Sequence, residues 1–210
     1  QTPPGQFTNT TATSSDEQYF TSDNASYFVS FNSGNYLELL SGTPVAQIGG
    51  TKYTTLNAAI KAAGVVEEAT DTNATTIKLL ANITNEGVFT IGPEKTIQNI
   101  ILDLNSFTIS DTTSTTSLFK INEKSKLTID DLSEEKTGAI TAKGNTTKLI
   151  RGFDVARGTL VLNNGKISDF SLENNTDRFG AGVNVWTKGT FIMNGGEISN
   201  CTAERGGAVD

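Results

Sequence analysis

The chain predicts an all-β fold, a parallel β-solenoid with a helix over its first coil, and three observations lead there. Residues 158–169 read GTLVLNNGKISD and residues 189–200 read GTFIMNGGEISN, so six identical residues recur 31 positions apart (189 − 158 = 31). A second pair, FGAGV at 179–183 and RGGAV at 205–209, is offset by 26, which makes one linking loop five residues longer than the other (31 − 26 = 5). Third, apolar stretches from residue 75 onward are short and are punctuated by Gly, Asn, Asp and Thr. Self-similarity at a spacing of ~20–50 residues marks stacked units, each burying its neighbour's apolar lining.

The elements follow in chain order. Residues 1–46 form a Ser/Thr-rich segment of extended character, then YFVSF and YLELL flanking NSGN, a β-hairpin signature. In YTTLNAAIKAAG, Thr55 is the N-cap residue type, Leu56, Ala59, Ile60 and Ala63 share one face, and Gly64 stops the helix. That helix, at about 55–63, is expected to cover the apolar end of the first coil, with the solenoid occupying 47–210. Strands are expected at 76–80, 88–91, 100–104, 107–109, 118–121, 127–129, 139–141, 149–155, 159–162, 166–168, 182–185, 190–193 and 197–199. Three strands per turn give a three-sided coil of ~20–30 residues, with turns stacked ~4.8 Å apart. Asn163, Asn164, Gly165, Gly195 and Gly196 fall at corners, where left-handed backbone costs Gly and Asn least.

Composition narrows the function. A net charge of −7 without a Lys/Arg cluster argues against a nucleic-acid partner. No apolar run is long enough to span a bilayer. A start at Gln1, with no apolar signal segment, favours a processed or truncated form. The lone Cys201 excludes an internal disulfide, and its place in a repeated position reads as packing. Asn-X-Ser/Thr acceptors begin at Asn9, Asn24, Asn73, Asn82, Asn145, Asn174 and Asn200; seven exceeds the about four that composition gives, and favours a secreted glycoprotein.

Several segments together carry a family resemblance: IGGTKYTTLNAAIKAAG, TTIKLLANIT, IILDLNSFTIS, SKLTIDD, and the GTLVLNNGKIS/GTFIMNGGEIS pair with GGAV. They resemble right-handed parallel β-helix surface proteins of the pectate-lyase-like superfamily, many of them secreted adhesins or cell-wall-attached proteins of bacteria and archaea. FIMN and GGAV are also similar to the FxxN and GGA[IV] signatures of chlamydial-type polymorphic outer-membrane adhesins. The resemblance spans about residues 47–210 and implies a secreted or cell-surface structural or adhesive protein. It implies far less about chemistry, because the matched positions build coils.

Enzymes of that superfamily use carboxylates on one strand face, often with calcium, beside a basic residue. Asp103, Asp130, Asp131 and Asp154 with Arg151 are the corresponding residue types, but Arg151 and Asp154, three apart, point to opposite faces of an ideal strand. The chain has no His, which removes the commonest general base and zinc ligand. No catalytic residue or resident cofactor is expected. Glu173, Asn174, Asn175 and Asp177, in the longer loop, are oxygen ligands suited to calcium only in a loose sense. Phe170, Phe179 and Trp186 flank that loop and suit sugar stacking, so the loop with Phe179 and Trp186 is the candidate binding edge. The alternative function is a polysaccharide-binding or polysaccharide-cleaving β-helix.

The sequence stops at Asp210 within a coil. The expectation is either further coils or a second chain covering that rung. Phe7, Tyr19, Phe20, Tyr27 and Phe28 would then add a strand beside Val209, building head-to-tail filaments. The expected partners are the protein itself, or a glycan or protein of a host or cell surface.

Overall fold

The computed structural model describes residues 11–20, 22, 24, 26–32, 34–173 and 179–210. From residue 75 the chain visits three sheets in rotation. The first coil places β5 (Thr75–Leu79) in sheet I, β6 (Ile83–Thr84) in sheet II and β7 (Phe89–Ile91) in sheet III. The second does the same with β8 (Asn99–Asp103), β9 (Thr108–Ser110) and β10 (Ser117–Ile121), and the third with β11 (Lys126–Asp130), β12 (Ala139–Thr141) and β13 (Arg151–Val155). The fourth contributes β14 (Thr159–Leu162), β15 (Lys166–Ser168) and β16 (Val183–Val185). A partial fifth adds β17 (Thr190–Met193) and β18 (Glu197–Ser199), with Val209 bridging back to Val183. Neighbouring coils pair in parallel on all three sides, which is a parallel β-solenoid.

Register between coils is held by the inward side chains. Ile83, Ile109, Ile140, Ile167 and Ile198 stack as one column on sheet II. On sheet III the rings of Phe89, Phe119 and Phe153 follow one another at 4.9 Å between centroids. A slip by one residue would turn each column outward, so the alternation enforces the pairing. Full burial of each such side chain contributes about 1.5–3 kcal/mol. The sequence duplication is this register seen in one dimension. Thr159 pairs with Thr190 and Ile167 with Ile198, offset 31, while Phe179 bridges to Arg205 and Val183 to Val209, offset 26. The extra five residues fall between Ser171, which bridges to Thr202, and Phe179. On sheet I the stacked positions 75, 100, 127, 160 and 191 are 25, 27, 33 and 31 apart, so no two of these coil spacings are equal.

The start of the solenoid differs from an all-parallel winding over 47–210. β3 (Ala46–Ile48) and β4 (Thr51–Tyr53) form an antiparallel hairpin, and β3 lies antiparallel along β5, extending sheet I to seven strands. Gly49, at φ 55°, starts the two-residue Gly49-Gly50 turn. The hairpin covers what would be the first coil's open edge.

The helix α1 (Leu56–Ala62) sits where the pattern places it. The Thr55 hydroxyl accepts the Ala58 N–H at 3.1 Å, and the Glu86 carboxylate accepts those of Leu56 and Asn57 at 2.9 and 2.7 Å. Leu56, Ala59 and Ile60 join the solenoid core, and Gly64, at φ 77°, ends the helix.

Ahead of it, β1 (Tyr27–Asn32) and β2 (Tyr36–Ser41) form the expected antiparallel hairpin. The preceding segment is not extended throughout: Ser14–Tyr19 is a 3₁₀ helix, started by Thr13, whose N–H donates to the Asp16 carboxylate at 2.7 Å. Ala12, Val29 and Leu37 make a small separate apolar cluster. The segment meets the solenoid through Lys52, which pairs with Glu17 at 2.5 Å and donates to the Val29 carbonyl at 3.1 Å. Among the described residues, no helix is long and apolar enough to cross a membrane.

Candidate functional site

Three of the four carboxylates singled out in the sequence, Asp103, Asp130 and Asp131, lie where sheet I turns towards sheet II and are occupied by structural donors; Asp154 lies in β13 on sheet III. Asp103 and Asp130 are register partners on adjacent coils. Asp103 accepts the N–H groups of Asn105 and Leu132, both at 3.0 Å. Asp130 accepts side-chain amides from Asn164 at 2.7 Å and Asn163 at 3.2 Å, and Asn194 donates to Asn163 one coil on. Asp131 is buried, accepting from the N–H groups of Ser106, Ser133 and Gly138 and from the Ser133 hydroxyl. Burial raises the Asp131 pKa, but the hydrogen bonds from Ser133, Gly138 and Ser106 outweigh it and hold the carboxyl below its ordinary range. Two acids not singled out from the sequence behave alike. Burial pushes Asp111 and Asp169 up as well, and donors from Ser114 and Thr113 in one case, and from Ser168, Thr141 and Asn200 in the other, bring them below the usual value. The missed signal is that Asn85, Asp169 and Asn200 follow the sheet II strands and carry positive φ, where a short polar side chain can bond the backbone.

Arg151 and Asp154 correct the expectation from strand parity. Arg151 is buried and its guanidinium reaches 3.7 Å from the Asp154 carboxylate. The long side chain bends around the strand start, donating also to the carbonyls of Gly180 (3.1 Å) and Phe179 (2.7 Å). Asp154 in turn accepts the indole N–H of Trp186. Trp186 is 49% exposed with its ring plane anchored through that bond. Phe179 is 38% exposed, with the Arg205 guanidinium 5.6 Å from its ring centroid. Phe170, by contrast, is fully buried in the core. The Glu173 carboxylate pairs with Lys148; Asn174, Asn175 and Asp177 lie outside the described residues.

The residues proposed for assembly separate. Tyr19 (75%), Phe20 and Tyr27 are exposed, Phe28 is half-buried on the hairpin, and Phe7 lies outside the described residues. Val209 is exposed on the fifth coil together with Ile192 and Met193. β1 already spends one edge on β2. Cys201 is half-buried; burial, followed by the nearby Asp169 charge, pushes its thiol up, away from the reactive thiolate.

The Asn-X-Ser/Thr positions have structural uses. The Asn73 amide donates to the Glu68 carbonyl (2.8 Å), Asn145 donates to Ser114 (3.1 Å), Asn200 to Asp169 (3.4 Å), and Asn82 accepts the Thr108 N–H from the next coil (2.8 Å). Asn24 accepts the Ser26 N–H in its own turn (2.9 Å). Asn9 and Asn174 lie outside the described residues.

Comparison of the chain with protein-family models, with curated proteins and with solved structures finds no match.

Proposed function

We propose that this chain is a non-enzymatic structural and attachment element of a secreted or cell-surface protein, a rigid rod that presents repeated edges to a glycan or protein. The observation that supports it is the use of the conspicuous polar side chains as coil-to-coil fastenings: Asp103, Asp130, Asp131, Asn163 and Asn194 bond the next coil or their own corner. Such fastenings stiffen the rod and occupy Asp103, Asp130 and Asp131 with donors of the coils themselves, whereas glycoside hydrolysis needs a carboxylate pair held ready for substrate. The exposed Ile192, Met193 and Val209 form a surface that a following turn, of this molecule or another, would cover. Electron microscopy of the purified protein, together with its retention on whole cells or wall fragments and assay of polysaccharide breakdown, tests the reading. Short stiff rods or end-joined filaments that bind and leave polymers intact are expected. Release of oligosaccharides would overturn it in favour of a carbohydrate-active enzyme.

A further inference from the structure

One corner of the solenoid differs from the others. Between sheets III and I each coil turns through a cation at left-handed backbone angles: Lys95 (φ 67°), Lys124 (φ 63°), Arg157 (φ 65°) and Lys188 (φ 67°). Lys124, Arg157 and Lys188 each stand two residues before Lys126, Thr159 and Thr190, which are register partners on sheet I, so these three cations occupy one column. The Lys124 N–H donates to the Arg157 carbonyl at 3.1 Å, tying the column from coil to coil. All four side chains are exposed. The corner also holds Glu94 and Glu123; Glu123 pairs with Arg157 at 3.8 Å, and no salt bridge joins Lys95, Lys124 or Lys188 to a described carboxylate. A groove of about 460 Å³ is lined by Lys95, Lys124 and Glu123 together with Gly92, Ile97, Asn122 and Ala156, two cations to one carboxylate. At the far end Trp186, in the turn that carries Lys188, offers its exposed, anchored ring.

A left-handed turn strains a Lys or Arg in a way that Gly or Asn would avoid, yet the long cation recurs there on a chain of net charge −7. The column repeats every ~4.8 Å along the axis. Acidic side chains on one face of an extended peptide repeat at ~6.6 Å, too widely to match it. A duplex nucleic acid carries a charge every ~1.7 Å, a density that a net-acidic surface repels. One anion per sugar residue matches the coil spacing, and an aromatic face at the end of the row suits a sugar ring. The geometry points to this corner as a docking ridge for a linear polysaccharide with one carboxylate or sulfate per sugar, lying along the solenoid axis from the Lys95–Lys124 groove to Trp186. The inference rests on the attachment reading and names its site and ligand class.

The test is binding of the intact protein to chondroitin sulfate (one charge per sugar), hyaluronan (one per two), dextran (none) and a duplex oligonucleotide. The ridge predicts chondroitin sulfate ahead of hyaluronan, with dextran and oligonucleotide unbound. The triple variant K124N/R157N/K188N keeps residues that tolerate left-handed backbone and is expected to lose about tenfold or more in affinity. K61N/K136N/K143N removes equal charge elsewhere and is expected to change it less than about twofold. Trp186→Ala is expected to weaken sulfated-glycan binding while circular dichroism and melting stay near those of the parent. Equal loss in both triple variants, equal binding of the oligonucleotide, or no glycan binding would overturn the ridge. If cell attachment persists in K124N/R157N/K188N while glycan binding vanishes, the ridge stands and attachment uses another surface; if both persist, the ridge is wrong and the attachment reading survives.

Discussion

The solenoid and the segment before it solve the same problem with different resources. From residue 75 every strand has parallel neighbours, and one continuous core runs from α1 through Phe89, Phe119 and Phe153 to Val183. Residues 11–41 have one antiparallel pair and a core of Ala12, Val29 and Leu37, fastened to the solenoid by Lys52. Stability in a stacked array sums over coil interfaces, whereas a two-stranded hairpin is marginal alone and borrows its order from what it touches. The two regions should therefore respond separately to damage, the hairpin locally and the solenoid as a body.

The sharpest contrast comes from emptying each core. Phe119→Ala removes the middle ring of the aromatic column, with neighbours fixed on both sides, and is expected to cost about 3–5 kcal/mol in urea unfolding of the coils. Leu37→Ala in the hairpin is expected to abolish hydrogen-exchange protection of β1 and β2 while the coil transition keeps its midpoint. A shift of the coil midpoint by Leu37→Ala would show that the two regions form one cooperative unit.

A smaller effect separates the corners from the core. Asp131→Asn places an amide donor among the donors of Ser106, Ser133 and Gly138, at an expected cost of about 1–3 kcal/mol to the coils. Asp111, Asp131 and Asp169 have folded-state pKa values below their ordinary value of 3.8. Their stabilisation is thus fully present above that value and lost as pH falls through the lowered ones. The coils should weaken below about pH 4, and Asp131→Asn should flatten that decline. An unchanged acid limb in the variant would assign acid sensitivity to other carboxylates.

The smallest expected effect lies at the join. Glu17→Gln breaks the pairing with Lys52 and weakens the bond to the Phe31 N–H, at about 1 kcal/mol. Faster proteolysis of residues 11–20 with unchanged coil melting is the expected result. A drop in coil melting would mean that the N-terminal segment is a structural part of the first coil.

Much of the solenoid was legible because its signals are local. The expected strands at 139–141, 159–162, 166–168, 190–193 and 197–199 coincide with those observed, each being a short apolar alternation closed by Gly, Asn or Asp. β3 and β4 were missed although Gly49-Gly50 carries a hairpin signal, since three-residue strands leave little periodicity to read, and β6 has only two residues. The candidate site was less legible. Parity set Arg151 and Asp154 on opposite faces, and a flexible guanidinium brought them to 3.7 Å. The column of Lys124, Arg157 and Lys188 is invisible in the chain because the cations are 33 and 31 residues apart and meet only once the coils are in register.

The amino-acid sequence by itself determined that the chain winds: alternation sets which side chains turn inward, and Gly, Asn and Asp mark where the backbone bends. Those choices are made within a few residues and need no distant partner. Tertiary structure decided which residues stack, since coil lengths of 25 to 33 residues on sheet I differ enough that only the summed packing of the inward columns fixes the register. It also decided which polar groups are consumed at the corners and which cations are left facing solvent, because a side chain's partner lies one coil away in space and about thirty residues away in sequence.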